Sequence, residues 1–84
     1  MNVVVEMPFD RYYHFLGRFE PSSYEATIMT RGVLNDDREH IASVGKVVIT
    51  CDLQEARRLL NCALRLCPEA VLDLQNAIEL AREL

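Results

Sequence analysis

Apolar residues in the last third of the chain recur at spacings of three and four. Leu53, Ala56, Leu60, Ala63, Cys67, Val71, Leu74, Ile78 and Ala81 form one stripe, interrupted by Pro68. That period predicts amphipathic helix on both sides of the proline. Asp52-Leu53-Gln54-Glu55 opens the first helix with a variant capping box, an acceptor at the N-cap and a carboxylate three residues on. The first helix is expected to run to about Leu66. Pro68 cannot donate its amide and disfavours helical dihedrals at Cys67, but it suits the first position of a second helix, with Glu69 near the positive dipole end. One unbroken helix over the last 33 residues would span roughly 50 Å. A compact chain of this size has a radius of gyration of only about 12 Å. The chain must therefore turn or kink at Cys67-Pro68, and a kinked or L-shaped pair is expected.

Asn2–Met7 is a β-branched run ended by Pro8. It reads as a strand, with three successive valines suggesting burial on both faces. Phe9–Glu20 fits two patterns. Phe9, Tyr12, Tyr13 and Leu16 make a helical face that Gly17 would cap in a left-handed conformation. Tyr13, Phe15, Gly17 and Phe19 alternate as in a strand. The reading leans to a strand over about residues 12–20, with a short helix at 9–16 as the alternative. Glu20-Pro21-Ser22-Ser23 reads as a reverse turn.

Tyr24–Leu34 alternates, with Tyr24, Ala26 and Ile28 on one side and Gly32 marking a bulge. Asn35–His40 is wholly polar and reads as a solvated loop, after which Ile41–Cys51 resumes the strand pattern. The two runs predict a hairpin. The fold class that follows is α+β: a small antiparallel sheet of three or four strands in a single domain over residues 1–84, packed by two C-terminal helices meeting at Pro68.

The helices carry more apolar surface than one stripe. Leu59, Cys62, Leu64, Leu66, Ala70, Leu72, Ala77, Leu80 and Leu84 lie beside it, and Leu64, Leu72 and Leu80 point well away by helical angle. The excess calls for a second helix, a symmetric mate or another protein to cover it. Arg57, Arg58 and Arg65 against Glu55 leave the first helix positive. Glu69, Asp73, Glu79 and Glu83 against Arg82 leave the second negative, an asymmetry suited to orienting helices within or between chains.

Composition narrows the function classes. At 84 residues with net charge −4, the chain has the wrong sign for nonspecific attraction to a nucleic-acid backbone, so nucleic-acid binding is not expected. No uncharged stretch exceeds six residues, which excludes a helical membrane span. The N-terminus lacks the basic region of a secretory signal, and three cysteines fit reduced thiols better than a disulfide framework, so a cytoplasmic protein is expected.

Chemistry-bearing residues are few. Cys62 and Cys67 would point roughly 140° apart on a continuous helix, and the two histidines are distant in sequence, so no metal is assigned. Cys51 precedes a helix N-terminus that can lower a thiol pKa, which would support a thiol-dependent enzyme or sensor with His14 or His40 as base. Asp36, Asp37, Glu39 and His40 lack the spacing of a calcium loop. Arg11–Phe19 interleaves arginines with aromatics, as single-stranded RNA binders do on a sheet, but without the consensus of that class. No phosphate loop, nucleophile elbow or zinc-protease motif occurs, and no cofactor is assigned.

The leading expectation is a non-enzymatic protein-interaction module: a small acidic adaptor or inhibitor, in its specific version of phage or mobile-element type, that occupies the surface of a larger protein or self-associates as a homodimer. Arg11, Tyr12, Arg18, Leu64, Leu72, Leu80 and Leu84 are its candidate contact residues. The alternatives are nucleic-acid binding through residues 11–19 and thiol chemistry at Cys51.

Overall fold

A computed structural model describes residues 2–34 and 45–83. The polar loop with His40, the first residues of the Ile41–Cys51 run, and Leu84 lie outside the described residues. The chain runs β1 (Asn2–Pro8), α1 (Phe9–Leu16), α2 (Tyr24–Arg31), β2 (Lys46–Asp52), α3 (Leu53–Leu66), a 3-10 turn (Pro68–Ala70) and α4 (Val71–Glu83). It is a mixed α+β fold in which β1 and β2 make a two-stranded antiparallel sheet.

The pairing places Val3, Val5 and Met7 opposite Cys51, Ile49 and Val47. All six side chains are buried, while Asn2, Val4, Glu6 and Pro8 face out. The three-valine run is thus half-buried by alternation and not an interior strand covered on both faces. With their inward rows in register, the strands offer one apolar face to the helices, and α3 and α4 pack there and on each other.

Both segments expected to add strands are helices. Residues 9–16 take the helical alternative. Tyr12 and Phe15, three apart, share a face and are buried together, and Pro8 supplies a φ of −54° at the start of the helix. Gly17 ends it with a right-handed φ of −65°, so no left-handed cap forms. The reverse turn at residues 20–23 is present, closed by the Ser23 amide on the Glu20 carbonyl at 2.9 Å.

Tyr24–Arg31 is helical because Ser23 caps it, accepting from the Ala26 amide at 3.1 Å. Glu25 in the first turn and Arg31 in the last both suit the macrodipole. The cap and the burial of Ala26, Ile28 and Met29 outweigh the β-propensity of Tyr, Thr and Ile. The predicted hairpin reduces to one antiparallel bridge, Val33 with Ile49, flanked by Leu34 N–H to Val48 O and Thr50 N–H to Gly32 O, each 2.8 Å. Gly32 is no bulge. It lets α2 end hard against β2, since a Cβ there would sit 2.2 Å from the Thr50 carbonyl oxygen.

The C-terminal third follows the apolar period. Asp52 and Glu55 close the capping box in both directions, at 2.7 and 3.0 Å. The chain turns at Cys67 (φ −153°, ψ 77°) and Pro68 opens the 3-10 turn. The radius of gyration is 11.8 Å and the longest extent 31 Å, too short for an unbroken helix.

Candidate functional site

β2 uses its far edge for the bridge to residues 32–34, which leaves β1 as the open edge of the sheet among the described residues. Because Val48 O and Thr50 N–H turn towards that bridge, ladder alternation aims the backbone groups of Val47, Ile49 and Cys51 at β1. The N–H and C=O groups of Val4 and Glu6 then point outward, and they take no partner among the described residues. Beside that edge runs a groove of about 540 Å³, lined by Asn2, Val4 and Glu6 on one wall and Asp73, Asn76, Ala77, Leu80 and Ala81 of α4 on the other. Val4 and Leu80 are 48% and 63% exposed. Apolar side chains thus lie next to unsatisfied main-chain donors and acceptors. The charged side chains of the lining are carboxylates, and none is cationic. Asp73 is held by Arg11 at 2.7 Å, and Glu6 lies 4.0 Å from the Lys46 ammonium.

The sequence-derived contact residues scatter relative to this groove. Leu64, Leu72 and Leu80 are all exposed, at 58–65%, yet only Leu80 among them lines the groove. Tyr12 is a core residue and not a contact residue: it is buried, and its hydroxyl donates to the Met29 carbonyl at 2.9 Å. Arg11 is half-buried and spent on Asp73, while Arg18 is exposed. Leu84 lies outside the described residues. With Tyr12 and Phe15 inside the core and the segment helical, residues 11–19 do not make the sheet-borne stacking platform that single-strand recognition uses. Sequence reading missed the β1 edge. The signal was Val4 and Glu6 alternating with Val3, Val5 and Met7, hidden by the three-valine run.

A second concavity of about 580 Å³ is polar, lined by Tyr24, Asp52, Gln54, Glu55, Arg57, Arg58 and Asn61. Its centre is structural. Glu55 accepts from the Asp52 amide, the Tyr24 hydroxyl (2.7 Å) and Arg31 (2.7 Å), and Arg58 reaches Glu25 at 2.8 Å while lying over the Tyr24 ring. These bonds, led by the Asp52 amide, hold the Glu55 carboxyl down at about 2. Glu55 and Arg58 of α3 therefore pair with Arg31 and Glu25 of α2, and Asp73 of α4 pairs with Arg11 of α1, while no ion pair among the described residues joins α3 to α4.

Cys51 does not gain from the helix behind it. Burial, reinforced by the Glu55 and Asp52 carboxylates, pushes its thiol up to about 11, the opposite of what a nucleophile needs. His14 is not its neighbour. The fold carries His14 to Cys67 instead, where imidazole nitrogen, Cys67 Sγ and a Glu69 oxygen all lie within 4.8 Å of one another. Distance in sequence was a poor guide, because α1 packs against the turn that holds Cys67 and Glu69.

No helix of the described residues is long and apolar enough to cross a membrane. Comparison with known proteins finds no matching family, no similar curated protein and no similar solved structure.

Proposed function

We propose that this protein is a non-enzymatic interaction module that binds an extended segment of a larger protein as an added strand along the outer edge of β1. The observation that carries the reading is the conjunction of Val4 and Glu6 backbone groups that have no partner among the described residues with the apolar wall of Ala77, Leu80 and Ala81 across the groove. Strand addition draws affinity from main-chain hydrogen bonds and specificity from alternate side chains set in such a groove. The lining has carboxylates and amides but no cation, and the chain carries −4 overall. The fitting occupant sets an apolar residue beside Val4 and, two positions along on the same face, a basic one beside Glu6, with apolar residues on its alternate face towards Leu80. An adaptor or inhibitor role follows from occupying the partner's extended segment.

The test is selection of displayed random dodecapeptides on the immobilised full chain. Recovered binders are expected to carry Lys or Arg two positions from an apolar residue and to be lost on Val4→Pro, which removes an outward amide at an edge position where proline is tolerated. Leu80→Glu, at an exposed site, is expected to abolish the same binding without touching the core. No binders, or binders indifferent to both changes, would refute the assignment. So would light scattering that shows a dimer lost on Val4→Pro, because a second copy would then own the edge.

A further inference from the structure

We propose that His14, Cys67 and Glu69 form a three-ligand site for a thiophilic divalent cation, Zn²⁺ in the first instance. The three donors come from separate elements: His14 from the last turn of α1, Cys67 from the turn after α3, and Glu69 from the 3-10 turn. Their ligating atoms lie within 4.8 Å of one another, and Cys67 Sγ is 3.3 Å from Glu69 Oε2. Two ligands on one tetrahedral zinc, with Zn–S of about 2.3 Å and Zn–O of about 2.0 Å, sit about 3.5 Å apart. The sulfur–carboxylate pair already has that spacing. The imidazole needs a rotation of an exposed side chain on a fixed helix.

The Ala70 amide donates to the Cys67 carbonyl at 2.9 Å and holds the turn in which the Cys67 thiol reaches the Glu69 carboxylate. Arg11 is the nearby cation, and its charge is met by Asp73 at 2.7 Å. Cys67 is fully buried while His14 and Glu69 are exposed, so the ion would enter from the solvent side and keep one position for water. Imidazole, thiolate and carboxylate together suit zinc better than magnesium or calcium, which take oxygen donors alone. Binding replaces the thiol proton: Cys–SH plus M²⁺ gives Cys–S–M⁺ and one released proton. Because a proton leaves on binding, occupancy is expected to rise with pH. The bound ion would tie α1 to the turn between α3 and α4, stapling a small domain.

The experiment is titration of the reduced full chain with Co²⁺, then displacement by Zn²⁺. A thiolate-to-cobalt charge-transfer band and tetrahedral visible bands are expected, saturating at one ion per chain. Cys67→Ser should lose the charge-transfer band, and Cys62→Ala should keep it. His14→Ala changes only an exposed side chain, so it tests the site even if Cys67→Ser misfolds. It should weaken Co²⁺ binding by about tenfold or more and remove the stabilisation by Zn²⁺ against thermal unfolding. No charge-transfer band in the unaltered protein would overturn the site. A band unchanged by His14→Ala, or one that survives Cys67→Ser, would do the same.

Discussion

Glu55→Gln isolates the joint on which α2, β2 and α3 meet. The carboxylate is nearly buried, with one oxygen on the Asp52 amide and the other shared by the Tyr24 hydroxyl and Arg31. Its pKa falls from 4.5 to about 2, driven first by the Asp52 amide, then by Tyr24 and Arg31, with burial opposing. A drop of that size corresponds to about 3 kcal/mol of stability at neutral pH. Arg31 is 56% exposed, so solvent screens its share and about 2 kcal/mol is the working figure. Because the folded-state pKa lies below the unfolded one, this stability is fully present above about pH 5 and drains away as pH falls towards 2. Glutamine keeps an oxygen acceptor and loses the charge, so the other carboxylates cancel between the two proteins. Urea unfolding followed by circular dichroism should place Glu55→Gln about 2 kcal/mol below the parent at pH 7 and within about 1 kcal/mol of it at pH 3. Equal differences at the two pH values would refute the ionic account of the joint, as would no difference at pH 7.

Neighbouring leucines of α4 should separate cleanly. Leu74→Ala empties a fully buried position and should cost about 2–5 kcal/mol in urea unfolding, whereas Leu72→Ala, 65% exposed, should stay within about 0.5 kcal/mol. Tyr12→Phe strands the Met29 carbonyl inside the core and should lower stability by about 1–2 kcal/mol in the same assay. Gly32→Ala forces a methyl to 2.2 Å from the Thr50 oxygen and should cost about 1–3 kcal/mol, read as a lowered melting temperature. With a thiol near 11 and buried, Cys51 should be modified by a thiol reagent at pH 8 at least about a hundredfold more slowly than a free cysteine, measured on the Cys62→Ala, Cys67→Ser double variant or by mass mapping of the unaltered chain.

The α-helical third was legible because its signals are local and agree with one another. The Asp52–Glu55 box, the three-and-four spacing and Pro68 each act within a turn or two of chain; the box and the spacing reappear, while Pro68 opens a 3-10 turn and the second α-helix begins only at Val71. Leu64, Leu72 and Leu80 were read as lying off the stripe, and they are exposed. The aromatic segment misled because Phe9, Tyr12, Tyr13 and Leu16 keep helical spacing while Tyr13, Phe15, Gly17 and Phe19 alternate, and Tyr24–Leu34 misled because its alternation hid a capped helix. Ser23 and Pro8, small cues at the segment starts, decided between the two once Tyr12, Phe15, Ile28 and Met29 had a core to enter.

Sequence by itself determined where α3 and α4 form and where the chain turns between them, because capping, periodicity and a missing amide are properties of neighbouring residues. Tertiary structure alone decided that β1 ends as an open edge beside Leu80. It also decided that Glu55 gathers Tyr24 and Arg31, and that His14 comes to Cys67 across more than fifty residues. Those juxtapositions depend on which faces a shared core draws together, and no pattern along the chain carries that information.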